Sequence, residues 1–227
     1  MDSLAVGIDV QVRRGCPIAV LGPDGSSVAA LWAEHPEAAG SLLGEVLDRE
    51  GIAPSRVAIG IDAPRMPLPQ PRPYCWSGAA RRWRPRGGKQ RGLGRHCEVA
   101  ISAHRLAHPQ WSPLAGEAPE WMQHGFQLYE SLAPLGRTYE AFPSASYRQL
   151  RDTEAKIEVA LGAFGAGPKD MLDAYVAALT AREYELGRGC AVGGGDGLGT
   201  IILPRPLQDP IEEVLAWPGG SDGPDHQ

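Results

Sequence analysis

Four aspartates carry the chemistry that this chain could perform. Asp9 closes the apolar run at residues 4–10 (LAVGIDV), and Asp62 closes the run at 56–62 (RVAIGID). Both runs predict buried strands, so each acid stands where a strand leaves its sheet. Asp170 and Asp173, in KDMLDA, are three residues apart, which puts them on one helix face. They fall in the first turn, where the helix dipole tolerates negative charge. If the two strands are parallel neighbours, their acids meet in one crevice at the carboxyl edge of the sheet. Four carboxylates gathered there repel one another unless a cation is bound, and hard oxygen ligands suit Mg²⁺ or Mn²⁺. A pair of such ions activates water and stabilises the leaving oxygen in phosphodiester cleavage. Taken singly, each acid reads more plainly as a turn residue or a helix N-terminal charge. The pattern of four is what predicts a metal site. Glu140, in TYEAF, is a fifth candidate with two readings open: it points into the same crevice, or it pairs with an arginine.

The elements that must position these acids follow from hydrophobic period and turn chemistry. Strands are expected at 17–21 and 27–32, joined by the turn Gly22-Pro23-Asp24-Gly25. With the first strand they make a three-stranded antiparallel meander. Pro36 suits the first turn of a helix with the stripe Leu42, Leu43, Val46 and Leu47, and Gly51 stops it. Ala63-Pro64 ends the strand that carries Asp62. Helices are expected at 95–107, 117–135, 144–151 and 153–164, with a strand at 138–142 ended by Pro143. A long helix starts at Pro168 and runs to about residue 186. Its apolar face is Leu172, Tyr175, Val176 and Leu179, and Ala174, Ala177, Ala178 and Ala181 permit close approach to a sheet. A strand at 200–203 closes the chain, and the tail after Trp217 is expected to be disordered. The fold class is α/β: a mixed five-stranded sheet, three antiparallel strands then parallel ones, flanked by helices. A right-handed crossover puts the fourth strand beside the first. The expectation is a single domain over 1–217, with an Arg/Pro-rich insertion at 64–115.

The chain has 227 residues, 43% hydrophobic and 22% charged, which excludes a disordered chain, a collagen and a coiled coil. No apolar run nears the roughly 18 residues of a membrane span. Met1-Asp2-Ser3 does not begin a secretory signal. Cysteines at 16, 75, 97 and 190, with no C-x-x-C, predict reduced thiols and a cytoplasmic location. The net charge of -5 hides an asymmetry. Between residues 64 and 115 stand Arg65, Arg72, Arg81, Arg82, Arg84, Arg86, Lys89, Arg91, Arg95 and Arg105 against one acid, Glu98. A basic segment on an acidic body suggests an anionic partner. Arg81, Arg82, Arg84, Arg86, Lys89 and Arg91 would neutralise phosphates, with Tyr74, Trp76, Trp83 and Trp111 stacking on unpaired bases of DNA or RNA. Two other readings are a solvated loop whose tryptophans fill core gaps, and a lid over a small phosphorylated ligand. Cys75, Cys97, His104 and His108 include a zinc-compatible His-x-x-x-His, but the missing cysteine pairs argue against zinc. The glycine-rich run 193–199 precedes a strand, which predicts a hairpin turn and not a dinucleotide loop.

Taken together, VGIDV, IGIDAP, YEAFPSAS and KDMLDAYVAAL resemble the RNase H-like superfamily, in particular the branch known as domain of unknown function 429, a group of predicted nucleases. Asp170-Met171-Leu172-Asp173-Ala174 is also similar to the final helix of RuvC-type Holliday-junction resolvases, where an Asp-x-x-Asp-Ala pattern carries two metal-binding acids. By that resemblance Asp9 matches the first-strand Asp, Asp62 the fourth-strand acid, and Asp170 with Asp173 the helix pair. The resolvases carry Glu where this chain has the shorter Asp62. Gly94-Arg95-His96-Cys97-Glu98 resembles an Arg-x-Cys-acid element of the same family, so Arg95 and Glu98 either line the crevice or pair as helix neighbours. The resemblance implies a two-metal nuclease in which Asp9 bridges the ions, with no side-chain nucleophile. Two other functions remain open. Actin-like ATPases and sugar kinases share the β-β-β-α-β core and a G-I-D strand, but need two such halves. The third is a nucleic-acid-binding module without turnover.

Overall fold

A computed structural model describes residues 3–150 and 167–219. In chain order the elements are β1 (Leu4–Asp9), β2 (Cys16–Leu21), β3 (Ser27–Ala33), α1 (Pro36–Glu50), β4 (Val57–Asp62), β5 (Tyr74–Ser77) and β6 (Arg82–Pro85). They continue as α2 (His96–Ala103), α3 (Glu120–Leu132), β7 (Arg137–Ala141), α4 (Pro143–Leu150), α5 (Pro168–Glu185), β8 (Cys190–Gly193), β9 (Thr200–Leu203) and α6 (Glu212–Leu215). The chain forms two compact units. The first takes Met1–Arg65, Pro119–Cys190 and Ile202–Pro206; the second takes Met66–Ala118, Ala191–Ile201 and the residues from Leu207 onward. The expected helix at 153–164 and the expected disorder of 220–227 lie outside the described residues. Among the described residues no helix is long and apolar enough to cross a membrane.

The meander forms as expected. Gly22 donates to the Ser26 carbonyl at 2.8 Å, and the Asp24 carboxylate holds Ser26 N at 2.9 Å. Pro36 opens α1, and Gly51 ends it with left-handed backbone, φ 65°. The sheet is mixed and α/β, flanked by helices, but it has seven strands in the order β3-β2-β1-β4-β7-β9-β8. The two strands beyond the expected five are β9 and the unforeseen β8. β1 and β2 are antiparallel, β1 and β4 parallel, and β4 and β7 parallel. Residues 64–94, rich in Pro, Gly and Arg without periodicity, read as a long loop or an ordered lid; within them β5 and β6 form a hairpin with Trp76 opposite Trp83. Those rings meet edge to face at 5.6 Å. Such aromatic cross-strand pairs stabilise a ribbon that composition alone conceals.

Strand alternation sorts the core of the first unit into two faces. Val6, Ile8, Ile59 and Ile61 join Leu43 and Val46 of α1 and Leu128 and Leu132 of α3. On the other face Ala5, Ala19 and Leu21 meet Met171, Ala174, Tyr175 and Ala178 of α5. At the centre of that second face the strands carry glycine. A Cβ on Gly7 would stand 1.9 Å from the Ala174 carbonyl oxygen, and one on Gly60 would stand 2.6 Å from that of Ala177. The alanines of α5 therefore let helix backbone rest directly on strand backbone.

Candidate functional site

The acids follow from that close contact. Asp9 lies two residues beyond Gly7 and Asp62 two beyond Gly60, so each points to the same face as its glycine, toward α5. The parallel register pairs Gly7 with Gly60 and Asp9 with Asp62. The expected crossover geometry thus places both acids at one end of two neighbouring strands. Asp170 is in the first turn of α5 as expected, but Asp173 falls beyond it, immediately before Ala174, which touches Gly7. All four belong to the first unit.

Their electrostatics are those of crowded carboxylates. Asp9 is only 5% exposed. Burial, reinforced by the charges of Asp173 and Asp170, pushes its pKa up to about 7, against the opposing hydrogen bond from Gln11 and the charge of Lys169. Asp62 keeps some accessible surface, but protein surrounds its carboxyl; desolvation, then Asp9 and Asp173, hold its pKa well above the usual carboxylate range. Gln11 Nε2 donates to Asp9 at 2.7 Å. Tyr147 donates its hydroxyl to Asp173 at 2.8 Å, and the Lys169 ammonium pairs with the other Asp173 oxygen. Desolvation opposes the charge on Lys169, but the hydrogen bond and charge of Asp173, with Asp9 and Asp62, prevail and raise its pKa. Arg14 approaches Asp170 at 3.4 Å. Among the described residues no three His, Cys, Asp or Glu side chains converge closely enough to hold a metal ion between them. The donor chemistry fits Mg²⁺ or Mn²⁺, being all hard oxygen with excess negative charge; the side chains as placed are turned instead to Gln11, Lys169 and Tyr147.

Sequence reading missed Gln11, Arg14, Tyr147 and Lys169. Lys169 had a local signal, since it stands four residues before Asp173 on one helix. Tyr147 had none, being 26 residues away. Glu140 pairs in register with Ile61, whose side chain is in the α1/α3 core, so it faces away from Asp62's side of the sheet. It accepts the Arg65 backbone N–H at 3.0 Å, and its charge is the smallest of the causes that raise the pKa of Asp62.

The remaining candidates lie in the second unit. Arg95 and Glu98 are buried and take the neighbour-pairing alternative, at 2.9 Å, with Ser112 Oγ also 3.1 Å from Arg95 Nε. Arg81, Arg82, Arg84, Arg86, Lys89 and Arg91 are all exposed. Arg91 pairs with Glu117 at 2.8 Å and Arg81 with Glu213 at 3.7 Å, while Arg82, Arg84 and Lys89 make no ion pair among the described residues. Tyr74, Trp76 and Trp83 join an aromatic cluster with Trp217 and His96, as core-filling side chains do. His104 engages both ring nitrogens, with Ala100 O at 2.7 Å and Ile211 N at 2.8 Å. The glycine-rich run joins β8 to its sheet neighbour β9, with Gly197 N bonded to Gly194 O.

No family model matches the chain, and no curated protein or solved structure is similar enough to show a relationship.

The site sets a pH dependence. A carboxyl whose pKa rises from 3.8 unfolded to about 7 folded keeps its proton in the native state where the unfolded chain has lost it. Stability then falls as pH rises between those values. Each such proton contributes a slope of roughly 1.4 kcal/mol per pH unit in that window. The metal-free protein should melt at progressively lower temperature from pH 5 to pH 7. A melting temperature that climbs across this range would contradict the assignment.

Proposed function

We propose that the chain is a divalent-metal-dependent hydrolase of phosphodiester bonds in nucleic acid, built on an RNase H-like first unit. The observation that carries this reading is the register pair Asp9–Asp62, facing Asp170 and Asp173 of α5. Such an arrangement of acids is costly for folding and useful to a cation. Asp9, Asp62, Asp170 and Asp173 would hold Mg²⁺ or Mn²⁺, which when bound supplies an activated water and neutralises charge on the phosphate. Gln11 orients the Asp9 carboxylate, and Tyr147 orients that of Asp173. Lys169 compensates part of the charge on Asp173 and would have to turn away for a cation to take its place there. The exposed Arg82, Arg84, Arg86 and Lys89 of the second unit would bind phosphates of the same polymer without reading its sequence. The scattered cysteines, with no C-x-x-C, fit a reducing, cytoplasmic setting.

The test is hydrolysis of single- and double-stranded DNA and RNA, with ATP as comparison, in Mn²⁺, Mg²⁺ and EDTA. Metal-dependent shortening of a nucleic acid, with ATP left intact, is the expected result. Hydrolysis of ATP alone would move the reading to the actin-like class.

One observation favours a second reading, a binding module without turnover: Lys169 already places a cation against Asp173. In that case Mn²⁺ binds only after Lys169→Met. The hydrolase reading requires the parent chain to bind Mn²⁺ as well.

A further inference from the structure

The second unit contains an open groove of about 1310 Å³, above the roughly 300–1,000 Å³ of most ligand pockets, and the hydrolase reading makes no use of it. Arg72, Arg81, Arg91 and Arg105 line it against a single carboxylate, Asp209, and Trp111 stands beside them. Only Arg81 and Arg91 belong to the exposed basic run; Arg72 and Arg105 come from elsewhere in the chain and meet them here.

Two features show these arginines held in place against local preference. Among the described residues, Arg81 (φ 44°) and Arg105 (φ 56°) are the only non-glycine residues in the left-handed region. Both occupy positions that glycine ordinarily takes. Arg81 closes the loop before β6, and Arg105 follows α2, where Leu106 N reaches back to Ile101 O at 3.1 Å. Strained backbone of this kind concentrates at functional sites. The second feature is Arg72. One end of its guanidinium donates to Leu93 O at 2.9 Å, yet Nε and Nη1 are buried with no hydrogen-bond partner among the described residues. Those two atoms are sealed from solvent as placed, so an anion in the groove would reach them only as the side chain turns outward; a guanidinium is well matched by a two-pronged anion such as phosphate.

Trp111 supplies the aromatic part. It is 38% exposed, among the few large hydrophobic side chains that are. Arg72 lies 5.9 Å from its ring centroid. The carboxylates paired with Arg81 and Arg91 are exposed partners, worth little and readily exchanged.

We propose that this groove binds a nucleotide, its phosphate taken by Arg72, Arg81 and Arg105 and its base stacked on Trp111. The ligand is either a free nucleoside phosphate or one unit of a single strand, since both present the same phosphate and base. The site stands on the second unit alone and does not depend on metal-dependent hydrolysis.

The test titrates the full chain in EDTA with inorganic phosphate, AMP and a 5′-phosphorylated octathymidylate, at low and high salt. AMP and the octanucleotide should bind, and inorganic phosphate more weakly. Arg81→Gly and Arg105→Gly should each lower affinity about tenfold, the loss of one charge-assisted hydrogen bond. Both should raise the melting temperature, because glycine relieves the left-handed backbone. Trp111→Leu should weaken AMP and leave inorganic phosphate unchanged. Tighter binding of the octanucleotide with a steep salt dependence assigns the strand; equal binding of AMP assigns the free nucleotide. The proposal is overturned if neither AMP nor the octanucleotide binds, or if the two glycine variants bind as the parent does. Because EDTA removes divalent cations, failure of the hydrolase assay and failure here remain distinct results.

Discussion

Asp9→Asn should reduce metal-dependent hydrolysis by about 10³-fold, the scale on which removing one electrostatic stabiliser from an active site acts. The same substitution should make the metal-free protein more stable. Asp9 is buried beside Asp62, Asp173 and Asp170, and its pKa of about 7 reports how poorly the site accommodates the charge. An asparagine keeps the shape and can still accept from Gln11 through its carbonyl oxygen. At pH 8, where the parent carries the charge, the variant should melt roughly 5 °C higher, at about 2–4 °C per kcal/mol for a chain of this size. At pH 5 the parent is protonated and the difference should nearly vanish. Mn²⁺ should reverse the order at pH 8, stabilising the parent and not the variant. Two readouts thus test one residue: rate for its part in the reaction, and melting temperature for its charge. Hydrolysis retained at the parent's rate would remove Asp9 from the site, whatever the melting curves show.

Gly7→Val should cost more than about 3 kcal/mol, enough to lose most of the folded protein. The added Cβ alone would lie 1.9 Å from Ala174 O and 2.3 Å from Ala178 N. Both atoms are helix backbone, so no side chain can rotate away; α5 must lift from the sheet. Since α5 carries Asp170 and Asp173, any variant that survives should also lose the relation of those acids to Asp9. Gly44→Ala is the matched control. That glycine is inside α1 and a Cβ there meets nothing within 4 Å, so alanine should stabilise by about 0.5–1 kcal/mol through helix propensity. Urea denaturation of both variants checks the pair. Equal midpoints for Gly7→Val and the parent would mean that α5 does not rest on β1 as described.

Much of the first unit was legible because its signals are local. The runs around Asp9 and Asp62 are too apolar to be anything but buried strands, and Gly51 marks the end of α1 by itself. The adjacency of β1 and β4 followed from the handedness of a crossover connection, a rule about chirality that needs no side-chain detail. The alanines of α5 announced a close approach to the sheet. What they approach, two glycines each placed two residues before an acid, became clear only with the register of β1 against β4.

The residues that escaped prediction share a cause. Which face Glu140 takes depends on the register of β7 against β4, and a shift of one residue would reverse it. Tyr147 reaches Asp173 only because α4 packs on α5. The β5–β6 hairpin hides in a segment of arginine, proline and tryptophan whose composition resembles a loop, and the cross-strand tryptophan pair exists only once the two strands have met. The basic run was visible from its charge, but charge does not say which arginines share a groove. Arg72 and Arg105 join Arg81 there by the path of the backbone through loops and a helix end. The sequence by itself thus determined which residue types are available and which segments are strands and helices, because hydrophobic period and turn chemistry act over a few residues. The tertiary structure decided which acids face one another and which cations gather, because those outcomes depend on strand register and on contacts between segments far apart in the chain.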